Sequence, residues 1–463
     1  MTRILSAGSL AAVTVLLLTA CGGGRIDSAA SFAERDALVP EGPFKAGPEL
    51  WRDPRLAPHP AFGFATASHP PVAENLPEFW APPAAPEKAA ESFALEFLAP
   101  SPDGAQKSGG HEVFGSLAIL SGFGDFGSVI DISDPANPKF LSAVMNNSLR
   151  GAETIAYPDG RLLVVFATES DGLPVFDLTN PRRPAQLYTL MPDQDQHNVG
   201  VVPGTPILYN AGSLGGGNLP NGGSGFTEIW DLSDPDNPVE LEPFHNGWSC
   251  HDISFWVDPA QDKYRAICAG VEFTQLWDIK DPRRPEMIVN LPVHHGIPGT
   301  ISTSVSPAIF SHFAGLNSSG DILFVGDETG GGAAPGCVAH VGLPPAAGVS
   351  FPSGAMFFYD VSNESSPLIQ GWIAPGAEYL ASNSESISCT VHFGRLIPND
   401  QDRDLMTIGA YGAGTLVMDF TNPTLPSIVS RYAEATDTWE AIYHNGWIVT
   451  GDLARGLEVL SLN

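Results

Sequence analysis

The sequence predicts an all-β protein, a β-propeller of four-stranded antiparallel sheets. Two observations carry that prediction. An apolar strand that ends in Asp and runs into a Pro-punctuated turn recurs six times, as VIDISDPANP, VFDLTNPRRP, IWDLSDPDNP, LWDIKDPRRP, FYDVSNESSP and VMDFTNPTLP. The aspartates Asp131, Asp177, Asp231, Asp278, Asp360 and Asp419 lie 46, 54, 47, 82 and 59 residues apart, the spacing of one small sheet per repeat.

The chemistry within each copy explains the strand and its end. Val129, Ile130 and Ile132 carry branched side chains that suit a pleated, half-buried surface. The run stops where Asp134-Pro135 removes a backbone donor. Asp, Asn, Ser and Thr at the break can bond their own backbone, and the second Pro holds the chain extended into the next strand. From residue 111 onward about 350 residues remain, which at about 45–50 per blade make seven blades, with six as the alternative. The seventh blade would come from TWEAIYHNGWIVTGDLARGLEVLSL, which has strands but no Asp-Pro turn. Its outer strand would then be supplied from the N-terminal side, closing the ring.

The six turns resemble the LVIVD repeat, an apolar strand running into D-[IVL]-[ST]-[DN]-P-x-x-P, over roughly residues 112 to 463. The fifth copy, DVSNESSP, lacks the first Pro. The resemblance implies a bacterial surface or exported β-propeller and leaves the activity open.

Residues 1–20 read as a lipoprotein signal peptide: one Arg, an apolar stretch, then Leu18-Thr19-Ala20 before Cys21. This resembles the bacterial lipobox, which implies cleavage before Cys21 and lipidation of its sulfur. Acyl chains there would hold the protein on a membrane without spanning it. The expected location is the bacterial cell envelope, at the outer membrane or cell surface if the cell is Gram-negative. Residues 21–110 are rich in Pro and carry no repeat, the composition of a tether or of a segment docked over the propeller of residues 111–463. Phe79-Trp80 and ESFALEFL are apolar enough to dock, and the stretch from Glu87 to Leu98 could form a short helix or supply an outer strand.

Lys and Arg number 22 against 52 Asp and Glu, a net charge of −30, which excludes a generally basic footprint for nucleic acid. A monomer is expected. Beyond Cys21 the chain has Cys250, Cys268, Cys337 and Cys389, an even number consistent with two disulfides in an exported protein. Cys250 begins one expected strand and Cys268 ends the next, so they would face each other in a hairpin, leaving Cys337 and Cys389 as the second pair.

Registering the blades on their turns aligns a second column at the starts of the first strands: Glu153, His197, His251, His312, His392 and Glu440. First strands line a propeller's channel, so these side chains should converge on its axis. Imidazoles and carboxylates in one pocket are a ligand set for a transition metal ion such as Cu, Zn or Fe. The plainer account is packing, each His satisfied by a neighbouring blade. Asp252, Asp327 and Glu328 suit roles behind the ligands, orienting an imidazole through its free N–H, although Asp327 equally suits a strand-end turn. His245 and His444 sit in His-Asn-Gly turns, His294 and His295 could lie over the channel, and His340 falls in a Gly/Pro-rich insertion.

The chain has no G-x-S-x-G elbow, HExxH, Walker loop or dinucleotide fingerprint. Two functions therefore stand side by side. One is a membrane-anchored propeller that binds a protein, glycan or small molecule. The other is a metal-dependent enzyme, in the style of the selenium-binding and methanethiol oxidase propellers that the histidine column resembles architecturally.

Overall fold

The computed structural model describes residues 79–86, 93–103, 105, 110–122, 126–144, 150–169, 171–212, 225–270, 273–292, 310–328, 354–374, 390–399, 402–432 and 438–463. These form strands without a helix. Blade 1 is built from β2 (His111–Phe114), β3 (Leu117–Leu120), β4 (Gly127–Asp131) and β5 (Lys139–Val144), preceded in the chain by β1 (Leu95–Ala99). Blade 2 comprises β6 (Ala152–Ala156), β7 (Leu162–Phe166), β8 (Leu173–Asp177) and β9 (Ala185–Leu190). Blade 3 comprises β10 (Asn198–Val201), β11 (Ile207–Ala211), β13 (Ile229–Asp231) and β14 (Val239–Glu240), with β12 (Gly225–Thr227) and β15 (Phe244–Gly247) as a side ribbon. Blade 4 comprises β16 (Asp252–Asp258), β17 (Lys263–Ala269), β18 (Phe273–Asp278) and β19 (Glu286–Pro292). Blade 5 comprises β20 (Ser311–Leu316), β21 (Ile322–Asp327), β22 (Met356–Asp360) and β23 (Leu368–Ile373). Blade 6 comprises β24 (Val391–Leu396), β25 (Leu405–Ala410), β26 (Gly414–Asp419) and β27 (Ser427–Tyr432).

Blade 7 runs through β28 (Thr438–His444), β29 (Trp447–Asp452) and β30 (Gly456–Leu462), and its outermost strand is β1, antiparallel to β30 from Leu95↔Leu462 to Ala99↔Val459. The ring is thus closed by a strand N-terminal to blade 1 pairing with the last strand, as expected, and the described residues form seven blades. The closing strand lies N-terminal to residue 111, and the outer-strand reading of the Glu87–Leu98 stretch holds over its described part.

All six repeat aspartates act as their chemistry predicts. Each Oδ1 accepts the backbone N–H two residues on, at 2.7–2.9 Å: Ser133 on Asp131, Thr179 on Asp177, Ser233 on Asp231, Lys280 on Asp278, Ser362 on Asp360 and Thr421 on Asp419. A β-turn follows in every copy, including Ser366 N–H to the Asn363 carbonyl in the copy without its first Pro. The Asx turn therefore suffices to end the strand there, and the proline reinforces it.

Seven apolar clusters fill the seven interfaces between successive blades. Phe93 and Leu95 enter the cluster between blades 6 and 7, and Ala99 enters the one between blades 7 and 1. The segment at Phe79-Trp80 docks on blade 1: the Phe79 carbonyl accepts from Ser116 N–H at 2.8 Å, and Trp80 meets Phe114 edge to face at 5.4 Å. The inner strands of blades 6 and 7 pair in parallel, Phe393 opposite Glu440. Cys250 and Cys268 form the expected disulfide. Cys21, Cys337, Cys389, His294, His295 and His340 lie outside the described residues.

Candidate metal centre

The four column histidines form one arc. Ring centroids are 4.1 Å apart from His197 to His251, 4.6 Å from His251 to His312 and 4.1 Å from His312 to His392. The geometry comes from four successive blades presenting the same position of the inner strand toward the axis, as the repeat predicts. His251, His312 and His392 are buried.

Hydrogen bonds set the tautomers. His392 Nδ1 lies 2.7 Å from the Trp439 carbonyl, which can only accept, so Nδ1 carries the proton and Nε2 the lone pair. His197 Nδ1 lies 2.7 Å from Glu169 Oε1, the carboxylate–imidazole arrangement that orients metal-binding histidines. Arg150 Nε holds the same carboxylate at 2.9 Å.

Glu328, at the end of β21, enters the arc. Its Oε2 is 3.6 Å from His312 Nε2 and its Oε1 is 3.5 Å from His392 Nε2. These separations exceed a hydrogen bond of about 2.7–3.2 Å. They match the roughly 3.3–3.6 Å between neighbouring ligand atoms when bonds of about 2.0–2.2 Å are arranged tetrahedrally. Ligand atoms of His251, His312 and Glu328 all lie within 4.8 Å of one another. Behind the carboxylate, Tyr411 O–H donates to Oε1 at 3.1 Å.

Burial, with repulsion from neighbouring imidazoles, holds His251 and His312 well below the usual histidine range, and burial does the same to His392. The rings are neutral at pH 7, the form that ligates. Burial pushes Glu328 up to about 7 against the opposing Tyr411 hydrogen bond. Two or three neutral imidazoles and one carboxylate fit a borderline metal such as Zn, Cu or Fe better than Mg or Ca, which prefer oxygen.

The column's two glutamates do not join the arc's carboxylate. Arg150 N–H bonds the Ala167 carbonyl just as His197 N–H bonds Ala211 and His251 N–H bonds Ala269. Blade 2 therefore places Arg150, not Glu153, at the histidine position, and Glu153 stands three residues further along the inner strand. Glu440, paired opposite Phe393, is likewise past the level of His392. Both line a separate cavity in the channel with His197, Asn198, Asp252, Phe393, Arg395, Trp439, His111 and Arg150.

In that cavity Arg395 pairs with Glu440 at 3.0 Å, and His111 N–H donates to the same carboxylate at 3.3 Å. Burial and the neighbouring Glu112 raise Glu153 well above the carboxylate range, and burial pushes Asp252 up to about 7 against the pull of Arg395. Asp252 takes its hydrogen bond from Asn198 Nδ2 at 2.8 Å rather than orienting an imidazole. Asp327 accepts from the Phe310 and Gly354 amides, the strand-end role also expected of it. His444 donates from Nε2 to the Gly115 carbonyl, a packing role.

Glu169, Arg150, Arg395, Asn198, His111, Tyr411 and Trp439 stand in or behind these sites but outside the column that the sequence displays. For Arg150 a signal existed: it lies 27 residues before Asp177, as His251 lies 27 before Asp278 and His392 lies 27 before Asp419. Matching residue type displaced the blade-2 register. The others approach only through tertiary packing.

No protein-family model matches the chain, and no curated protein sequence matches it. Among solved structures it is similar to the WD40 β-propeller domain of Doa1, with a TM-score of 0.47 and 12% identity over 80% of this chain and 98% of that one. The seven-bladed architecture rests on the sheet pairing described above.

Proposed function

We propose that this chain is an exported, lipid-anchored propeller of the bacterial envelope that holds one transition-metal ion, of the Cu, Zn or Fe class, at His251, His312 and Glu328, with His392 on the same carboxylate. The observation that carries it is Glu328, set between two neutral imidazoles at ligand-to-ligand rather than hydrogen-bond distances. The LVIVD-type turns and the Leu18–Cys21 sequence support the exported, anchored part of the reading. A bound metal would supply Lewis-acid or one-electron chemistry. The enzymatic form of the proposal is a metal-dependent oxidoreductase.

The test is elemental analysis of the purified protein beside a His251→Ala, His312→Ala double variant. About one metal per chain in the parent, absent from a variant that keeps its β-sheet circular dichroism, is the expected result. A parent that takes up neither Cu, Zn nor Fe when each is supplied would sink the proposal. The second reading, a scaffold that binds a partner, glycan or small molecule, draws on the polar cavity beside the arc.

A further inference from the structure

The channel cavity has a charge arrangement that the metal site does not use. Its lining sets Glu153, Asp252 and Glu440 against Arg150 and Arg395. Arg395 pairs with Glu440 and Arg150 with Glu169. Asp252 is 3% exposed; its Oδ1 accepts from Asn198, while its buried Oδ2 has no hydrogen-bond partner. Glu153 is also buried. Trp439 and Phe393 supply aromatic wall.

These carboxylates do not close around a bare ion. Among the described residues only His251, His312 and Glu328 bring three ligand atoms within 4.8 Å of one another. The cavity measures about 30 Å³, room for roughly one or two waters, so it admits a small head group and not a bulky molecule.

We propose that this cavity binds a small primary ammonium group, a protonated amine that donates to Asp252 Oδ2 and Glu153 and lays its alkyl side against Trp439 and Phe393. An ammonium offers three donors and no acceptor, which suits Asp252 Oδ2, an acceptor without a donor, and a cation in the cavity favours the ionised form of both carboxyls. The face of a Trp or Phe ring attracts a cation. An anionic ligand would be repelled by these carboxylates, and a neutral donor would satisfy Asp252 Oδ2 without offsetting their charge. The chain's net charge of −30 draws cations toward its surface.

This inference does not rest on the metal reading, and its test keeps the two apart. Full-length protein, stripped of metal by a chelator, is titrated with methylammonium by isothermal calorimetry at fixed ionic strength in mildly alkaline buffer, where Asp252 is ionised and the amine still protonated. Saturable binding of one methylammonium per chain is expected, weakened about tenfold or more in both Asp252→Asn and Glu153→Gln and retained in His312→Ala. Methanol, of the same size and uncharged, should not bind. The proposal is overturned if methylammonium does not saturate, if both acid variants bind it as the parent does, or if Ca²⁺ occupies the site in preference to it.

Discussion

The Nδ1 of His392 donates to the main-chain carbonyl of Trp439 at 2.7 Å, so a residue of blade 7 decides which nitrogen of a blade-6 histidine faces Glu328. Ring orientation at the arc is thereby tied to the closure of the propeller, since β28 carries Trp439 and blade 7 is completed by β1.

Tyr411 holds Glu328 from behind through a 3.1 Å hydrogen bond. Tyr411→Phe should therefore lower metal affinity by about tenfold or more, the usual effect of losing a partner behind a ligand. Competition against a chelator of known affinity measures it, and the folded baseline by circular dichroism should not change.

Metal uptake should depend on pH with a defined sign. Burial raises Glu328 to about 7, so below that pH the metal must displace a proton from it. Affinity should rise as pH increases toward 7 and level off above. In Glu328→Gln the rise should flatten as affinity falls, which titrations across that range will show.

Glu228 reports on stability instead. It is buried, accepts from Asn210 Nδ2 and the Asp193 amide, and burial lifts it from 4.5 to about 7. A folded pKa above the unfolded value stabilises the acid form, so this contribution is complete below pH 4.5 and lost as pH rises through 7. The difference is about 3 kcal/mol. Urea melts of the parent and Glu228→Gln should converge in acid and separate as pH rises from about 4.5 to 7, with the Gln variant the more stable by a constant margin above that.

Equivalent turn aspartates should differ sharply. Asp231 is buried and also holds Arg283 at 2.7 Å, whereas the Asp360 turn is exposed. Asp231→Ala should cost about 3–5 kcal/mol by stranding that guanidinium, and Asp360→Ala about 1 kcal/mol for one exposed hydrogen bond. Equal shifts in denaturant midpoint would contradict this.

Ring closure makes β1 indispensable. A chain beginning at residue 101 loses Phe93, Leu95 and Ala99 from two inter-blade clusters and bares the edge of β30, and it should aggregate or melt without a single cooperative transition. A chain beginning at residue 79 should remain monomeric by light scattering. For the full chain, Cys21→Ala should move the protein from the membrane pellet to the soluble fraction.

Much of the fold was legible because it is written locally. Strand, Asx turn and strand repeat with a count that residues 131–419 display without reference to anything distant, and the missing seventh turn by itself called for a strand from the other end. The arc of His197, His251, His312 and His392 was legible for the same reason, since rotation about an axis turns a sequence register into a spatial ring. Tertiary structure decided the rest. Glu328 reaches the arc from the far end of the strand after His312, and Trp439, Tyr411 and Arg395 meet their partners from other strands and blades. It also moved Glu153 and Glu440 out of the ring into a cavity of their own. A repeat specifies where each blade's backbone goes, but the protonation and pairing of a buried side chain depend on neighbours from other blades, which no single repeat encodes.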